Sequence, residues 1–290
     1  MKVCRTKQEL KRELKERRKG GYSLGLVPTM GFLHEGHASL LRRARAENDI
    51  VVLSIFVNPL QFGPNEDFDR YPRNEAKDLA IAAEQGADLV FAPTVEEMYP
   101  SKPLTNLKVE HITERLCGAS RPGHFDGVGV VVSKLFHLTA PDKAYFGMKD
   151  AQQAAVIEQM VLDLDFDLEV VKCDIVREPD GLALSSRNVY LTAEQRQQAV
   201  VLSRTLAAAE GWLQDADLTI EDVMAKVRDA IEEAEQAVID YAELLHYPSL
   251  EEIDPGMRTA ATEGQLIMAL AVKFGATRLI DNQLYAWERG

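Results

Sequence analysis

The sequence predicts an α/β protein in which a doubly wound, Rossmann-like parallel sheet is followed by a smaller α+β domain. Of its 290 residues, 46% are hydrophobic, enough to bury a core. As far as Val176, short apolar runs alternate with longer helical stretches, the order typical of a parallel sheet. After Arg187, helical patterns come first and strand-like runs follow. We expect two domains, residues 1–176 and 177–290.

The elements of the first domain follow from apolar periodicity. Its strand-like runs are too uniformly apolar to have a wet face, as expected for a sheet covered by helices on both sides. The predicted strands are Leu24–Val27, Ile50–Val57, Ala87–Ala92, Lys143–Phe146 and Leu168–Val176. The predicted helices are Ala38–Glu47, Glu75–Gln85, Val128–Leu138 and Ala151–Asp163. The first nineteen residues, with nine Lys or Arg and three Glu, predict an amphipathic surface helix.

The second domain begins with helices. Leu191–Leu213 is predicted as one long helix, because Thr192 and Gln195 have the spacing of a capping box. Thr219–Ala234 is predicted as a second helix. The predicted strands are Ile239–Leu245, Gln265–Val272 and Arg278–Ile280.

Charge and cysteine content exclude several classes of protein. The formal charge is −13, which argues against a nucleic-acid-binding protein but allows an anionic small molecule in a locally positive pocket. Three cysteines without metal-ligand spacing favour a reducing, cytoplasmic setting. The longest apolar run, seven residues, is far too short for a membrane span, and no secretory signal is expected.

The segment Val27–His37 has the features of a nucleotide-binding turn. It follows a predicted strand and precedes a helix, where free backbone N–H groups and the helix dipole favour a phosphate. His34 and His37 are three residues apart, so both imidazoles can face one space and donate to phosphate oxygens. The alternatives are a helix cap beside a surface histidine, or two zinc ligands completed by His124 or Cys117.

Three other segments end predicted strands or lie between the domains. In Phe146–Gln153, Lys149 is suited to a polyphosphate and Asp150 to ribose hydroxyls, although both residues are also common at a structural helix start. Ala183–Asn188 supplies two hydroxyls and a guanidinium that could clamp phosphates, or it is a polar surface turn. In Phe56–Phe62, Asn58 and Gln61 could orient a small polar acid, or the segment is a loop anchored by proline.

Taken together, these segments resemble the pantothenate synthetases, ligases that join pantoate to β-alanine with ATP. The likeness covers most of the first domain and the hinge; beyond about residue 195 it is general. The matching stretches are Val27–His37, Ser54–Phe62, Tyr71–Arg73, Arg121–Val128, Phe146–Gln153 and Val176–Asn188. The His-x-Gly-His element is similar to that of the nucleotidyltransferase superfamily, which includes class I aminoacyl-tRNA synthetases.

The resemblance implies specific roles. It implies a catalytic set of His37 as proton donor with His34, Lys149, Ser185 and Arg187. It implies that Gln61 and Gln153 bind pantoate and that Gln61 also binds β-alanine. The implied ATP site comprises Met30, Gly31, Phe32, Leu33, His34, Glu35, Gly36, His37, Gly147, Met148, Lys149, Asp150, Val176, Leu184, Ser185, Ser186 and Arg187. Three positions depart from the family pattern, namely Met148, Ala151 and Leu184.

The implied reaction forms pantoyl-adenylate and pyrophosphate from (R)-pantoate and ATP, and then pantothenate and AMP from the adenylate and β-alanine. Mg²⁺ would arrive with ATP, so no metal cage is expected. The resemblance also implies a homodimer, a nucleotide-binding domain at 1–176 and a lid at 177–290. The rival hypotheses are an adenylyltransferase without amide synthesis, a zinc hydrolase using His34, His37 and His124, and a nucleotide-sensing module. An aminoacyl-tRNA synthetase is disfavoured because no tRNA-binding domain is evident.

Overall fold

The structure is a computed structural model that describes residues 1–64, 66 and 68–287. The chain divides into two compact units. One comprises Met1–Met148 and Val156–Asp174; the other comprises Lys149–Ala155 and the chain from Ile175 onward. None of the helices in the described part of the chain combines the length and apolar character of a bilayer-spanning segment.

Six of the described strands form one parallel sheet, which confirms the predicted fold class. Their order is β1-β4-β3-β2-β5-β6. The strands are β1 (Lys2–Cys4), β2 (Leu24–Thr29), β3 (Ile50–Ile55), β4 (Leu89–Phe91), β5 (Lys143–Gly147) and β6 (Glu169–Cys173). The direction in which the strand order grows reverses between β2 and β5, so this is the switch point at which ligands bind in such sheets.

The helices that connect these strands are α1 (Lys7–Arg17), α2 (Glu35–Glu47), α3 (Glu75–Glu84), α4 (Val95–Met98), α5 (Leu116–Ser120), α6 (His124–Thr139) and α7 (Ala151–Asp163). The residues of α7 up to Ala155 belong to the second unit. Helix α2 packs on β2, β3 and β5, and α1 packs against α6. The central strand β3 is buried along almost its whole length, as its uniformly apolar sequence predicts.

The start of the chain differs from the prediction of one surface helix. Residues Lys2–Cys4 form an edge strand paired with β4, and α1 then begins with Thr6 and Glu9 in a reciprocal capping box. Leu10 and Leu14 of α1 are buried, so this basic helix has an apolar face as well as a charged one. Three residues are too few to show strand periodicity, which is why the edge strand was missed.

The second unit holds an antiparallel sheet of three of the described strands, in the order β7-β8-β9. These are β7 (Ala237–His246), β8 (Gly264–Phe274) and β9 (Thr277–Trp287), and its helices are α8 (Ala193–Gln198), α9 (Val201–Gln214) and α10 (Ile220–Glu232). The prediction of one helix over Leu191–Leu213 is wrong, although its Thr192–Gln195 capping box is present. At the break, the Leu202 N–H bonds the carbonyl of Ala199, a three-residue spacing instead of four.

The three cysteines differ in exposure. Cys4 and Cys173 are buried thiols, whereas Cys117 is half-buried. Burial raises the pKa of Cys173 to about 11 and also raises the pKa of Cys4. These two thiols therefore stay protonated at neutral pH.

Candidate active site

The loop that follows β2 leaves the sheet at its switch point. Gly31 and Phe32 both have positive φ, 82° and 52°, so the chain turns sharply before α2. A Cβ on Gly31 would lie 3.0 Å from a carboxylate oxygen of Asp78 and from Ile55 Cγ2. The turn therefore needs glycine at this position both for its conformation and for space.

Asp78 of α3 fixes this loop through hydrogen bonds. Its two carboxylate oxygens accept the backbone N–H groups of Phe32 at 2.8 Å and Leu33 at 2.7 Å. Asp78 is only 2% exposed, so these bonds satisfy a carboxylate that water barely reaches. The backbone N–H groups of Phe32 and Leu33 are thus engaged within the protein.

The two histidines cap α2 reciprocally. His34 is the N-cap residue, and its Nδ1 accepts the backbone N–H of Gly36 at 3.1 Å. The backbone N–H of His34 in turn donates to Nδ1 of His37 at 3.3 Å. The ring centroids are 4.2 Å apart, so the two imidazoles occupy one space, as the spacing predicts. The helix cap of the alternative interpretation is also present, because His34 is the N-cap residue.

The capping bonds fix the tautomer of both rings. A nitrogen that accepts a hydrogen bond carries no proton, so each neutral ring has its proton on Nε2. Both histidines belong to the first turn of α2, at the positive end of its dipole. The arrangement can stabilise negative charge that develops on a phosphate oxygen.

Gln61 lies in the short helical turn that follows β3, in the same unit as the histidines. Its Nε2 lies 3.2 Å from Sδ of Met30 in the first loop, so these two predicted site residues are in contact. Its backbone carbonyl accepts a hydrogen bond from His124 Nδ1 at 2.8 Å. His124 Nε2 then accepts from Arg121 Nη1 at 3.2 Å.

The positions of these residues do not support the alternative in which His34, His37 and His124 bind zinc. His124 is bonded to Gln61 and Arg121, which fixes the tautomer of its ring. Across the residues that the structure describes, no group of three or more His, Cys, Asp or Glu side chains could hold a metal ion.

The chain after β5 carries the second predicted segment. Gly147 ends β5, whose neighbour at the switch point is β2, and a Cβ at Gly147 would meet no atom within 4 Å. Lys149 and Gln153 belong to the second unit, where the Lys149 carbonyl accepts from Asn282 Nδ2 of β9 at 3.0 Å. Asp150 is exposed.

The third segment forms a tight hairpin within the second unit. The N–H of Leu184 donates to the carbonyl of Val176 at 3.0 Å, so these two predicted site residues are neighbours. Gly181 closes the hairpin with a φ of 99°. Ser185 then caps a short 3₁₀ helix, its Oγ accepting the N–H of Arg187 at 3.2 Å. The hydroxyl keeps its proton for donation.

Sequence reasoning missed the supporting residues Asp78 and Asn282. Asp78 could have been noticed, because it lies four residues before Ala82 on the buried face of α3, where a charge needs a partner. Asn282 gave no comparable signal, because its partner is the carbonyl of a residue 133 positions away.

Such a sheet, with paired histidines at a helix N-terminus beside its switch point, is the architecture of an enzyme that acts on a phosphate-bearing nucleotide. Comparison with known proteins narrows the class to one family. A family model described as pantoate-beta-alanine ligase matches residues 2–284. The chain belongs to this ligase family.

Individual relatives agree with this membership. The chain is 52% identical over 282 residues to a protein named pantothenate synthetase from Acetivibrio thermocellus, covering 97% of this chain and 98% of that one. A crystal structure of the Thermus thermophilus pantothenate synthetase superposes with a TM-score of 0.90 at 45% identity, covering 98% of this chain and 99% of that one. The Francisella tularensis ligase, solved with "Beta-gamma ATP and Beta-alanine", superposes with a TM-score of 0.78 at 33% identity, covering 98% and 97%.

Proposed function

We propose that the chain condenses (R)-pantoate with β-alanine at the expense of ATP, through pantoyl-adenylate. Membership of the pantoate-beta-alanine ligase family supports the overall reaction. The observation that carries the mechanism is the reciprocal cap of His34 and His37, in which Nδ1 of each ring accepts a backbone N–H, so that Nε2 of each neutral ring carries the proton.

In the first step, a carboxylate oxygen of pantoate attacks the α-phosphorus of ATP, and the bond from that phosphorus to pyrophosphate breaks. Negative charge grows on the phosphate oxygens, so donors that are already in place lower the barrier. We assign this work to His34 and His37, with His37 donating a hydrogen bond from Nε2–H to an oxygen of the leaving pyrophosphate while its ring keeps the proton. Mg²⁺ enters with ATP as part of the substrate and neutralises phosphate charge when bound.

We also assign nucleotide-binding roles to residues of the second unit. Lys149 supplies a compact positive charge for the phosphate chain, and Arg187 can form charge-assisted bonds with phosphate oxygens. Ser185 donates a hydrogen bond from its hydroxyl to the nucleotide, because its oxygen already accepts the backbone N–H of Arg187. We assign recognition of adenine to the backbone of Val176, whose carbonyl accepts the N–H of Leu184.

The remaining members of the proposed ATP site are residues of the three segments. They are Met30, Gly31, Phe32, Leu33, Glu35, Gly36, Gly147, Met148, Asp150, Leu184 and Ser186. Gly147 supports close approach of a ligand, because nothing lies within 4 Å of the position its Cβ would take.

In the second step, the neutral amine of β-alanine attacks the acyl carbon, the acyl–phosphate bond breaks and AMP leaves. We assign pantoate binding to Gln61 and Gln153 and β-alanine binding to Gln61. Water must be kept from the adenylate, because hydrolysis would waste it.

The first experiment measures exchange of labelled pyrophosphate into ATP, which needs only the first step. It should depend on pantoate and Mg²⁺ and not on β-alanine. His37→Ala should lower the exchange rate by about 10²- to 10³-fold, because one preorganised donor is lost. The control is His137→Ala, which removes an exposed imidazole of α6.

The products separate the rival functions. Release of AMP and pantothenate that requires β-alanine supports the ligase, whereas AMP conjugates formed without an amine would indicate an adenylyltransferase. Normal turnover by His37→Ala would contradict the assigned role of His37.

Three broader properties complete the proposal. We propose that residues 1–176 form the nucleotide-binding catalytic domain and that residues 177–290 form the smaller domain, which contributes the Leu184–Arg187 loop. We also propose that the protein works in the cytoplasm, in keeping with three cysteines outside any disulfide. We also propose a homodimer, for which light scattering in solution should give about twice the 32.3 kDa chain mass.

A further inference from the structure

A chain of hydrogen bonds joins Tyr99 to Gln61 through Asn58. Tyr99 directly follows α4, and its hydroxyl donates to Asn58 Oδ1 at 3.0 Å. Asn58 Nδ2 then donates to Gln61 Oε1 at 3.1 Å. Asn58 is 1% exposed and Gln61 is 7% exposed, so neither amide can readily exchange its partners for bulk water.

Two backbone groups fix which way the Asn58 amide faces. The N–H of Leu60, which can only donate, points at Oδ1 at 3.3 Å. The carbonyl of Gly127, which can only accept, lies 3.0 Å from Nδ2. The opposite orientation would set donor against donor and acceptor against acceptor, and each such mismatch in a buried site is costly.

The close approach of the two backbone segments depends on glycine at position 127. A Cβ built on Gly127 would lie 2.4 Å from the carbonyl oxygen of Leu60. Any larger residue would force the loop away from α6 and separate Asn58 from the Gly127 carbonyl. The orientation of Asn58 is therefore a property of the packed fold.

The fixed orientation of Asn58 determines that of Gln61. Because Oε1 accepts from Asn58, Nε2 is the end of the Gln61 amide that can meet a ligand. Its contact in this structure is Sδ of Met30 at 3.2 Å, and a thioether is only a weak acceptor. A carboxylate or hydroxyl oxygen would be a stronger partner for the same N–H groups.

We propose that Tyr99 is a positioning residue that, through Asn58, holds Gln61 as a hydrogen-bond donor toward an oxygen atom of the acid substrate. This inference rests on the proposed function, in which Gln61 binds pantoate. It adds a residue outside the matching segments and sets the polarity of the contact, because Gln61 donates and the substrate accepts.

The surroundings of Tyr99 make its hydroxyl a separable element. Its ring packs 6.0 Å from that of Phe56, and Lys134 Nζ lies 5.4 Å from its centroid. Both contacts survive in a Tyr99→Phe variant, which removes only the hydroxyl. Burial raises the pKa of Tyr99 well above its usual range, so the hydroxyl remains a donor at neutral pH.

The test is steady-state kinetics of pantoate-dependent pyrophosphate exchange with Tyr99→Phe. We expect the KM for pantoate to rise about three- to tenfold, the effect of losing one orienting hydrogen bond, with the KM for ATP and kcat nearly unchanged. Tyr22→Phe is the matched control, because Tyr22 is 54% exposed. A pantoate KM equal to that of the unsubstituted chain, or equal rises in both KM values, would overturn the proposal.

A second variant tests the polarity directly. Gln61→Glu keeps the side-chain shape and an acceptor for Asn58, but it replaces the outward donor with an acceptor. We expect pantoate-dependent exchange to fall more than 100-fold while a nonhydrolysable ATP analogue still binds in calorimetry. Retained pantoate turnover would contradict the inference.

The two levels of proposal fail in different ways. If the unsubstituted chain shows no pantoate-dependent exchange, the proposed function fails. If the unsubstituted chain is active and the Tyr99→Phe variant has the same KM for pantoate, only the positioning role of Tyr99 fails.

Discussion

His34 combines two tasks, capping of α2 and presentation of an Nε2–H group, and one substitution can separate them. Asparagine is a good N-cap residue, whereas its short side chain cannot place a donor where Nε2 lies. His34→Asn should therefore leave the free energy of unfolding within about 0.5 kcal/mol while the exchange rate falls about 10²-fold. His34→Ala should lose the rate and in addition about 1 kcal/mol of stability.

Urea unfolding and pyrophosphate exchange, measured on the same preparations, provide the comparison. If His34→Asn is as active as the unsubstituted chain, His34 is a cap and nothing more.

A substitution at Asp78 tests the residue that supports the loop carrying the histidines. In Asp78→Asn an amide nitrogen would face the N–H of Phe32 or Leu33, so one buried donor loses its acceptor, at about 1–3 kcal/mol. Both thermal stability and the exchange rate should fall, because the loop that carries the histidines is released. Glu84→Gln on the same helix is exposed and should change neither. A stable but inactive Asp78→Asn would instead indicate direct contact with substrate.

At the scale of elements, Glu47 at the C-terminal end of α2 is linked to β5 by an ion pair and a hydrogen bond. Arg43 hydrogen-bonds Glu47, with Lys143 and Tyr145 as further partners, and lowers the pKa of Glu47 to about 2. Since the folded pKa lies below the unfolded value of 4.5, the stabilisation is complete above pH 4.5 and disappears as the pH falls toward 2. Glu47→Gln should lower stability by about 1 kcal/mol at pH 7 and by much less near pH 2.

Chemical denaturation at several pH values checks this expectation. The curves for the two proteins should converge on acidification, and a constant difference down to pH 2 would show that packing, not charge, is responsible.

In the second unit, Arg177 ties the start of the hairpin to β9. Its two terminal nitrogens donate to the Asp281 carboxylate at 2.7 and 2.9 Å, and the Asp281 side chain is only 1% exposed. Arg177→Met should lower the free energy of unfolding by about 3 kcal/mol, because it leaves the buried Asp281 carboxylate without its charged partner. Arg278→Met breaks a more exposed pair with Asp240 and should cost less than about 1 kcal/mol. Equal losses in urea unfolding would contradict the distinction.

For the whole molecule, the sequence predicted the parallel sheet well because its central strands are uniformly apolar. Strands β2 to β5 lie within about two residues of their predicted ends. The break between α8 and α9 escaped prediction, since neither glycine nor proline marks it and both Ala199 and Val200 are buried.

The candidate site shows the same division between local and distant information. The adjacency of His34 and His37 follows from their N-cap and N3 positions at the start of α2, a local pattern three residues apart. The bonds from Asp78 to Phe32 and from Tyr99 to Asn58 join residues 46 and 41 positions apart, which no local pattern encodes. The nucleotide-binding roles of Lys149 and Arg187 stay predictions, and loss of ATP binding in Lys149→Ala and Arg187→Ala would be their first support.

The unequal burial of the three thiols makes the protein convenient to tag. A maleimide dye needs an accessible thiolate, which protonated and enclosed Cys4 and Cys173 cannot offer, so Cys117 should react alone. One fluorophore per chain would then be attached without mutagenesis.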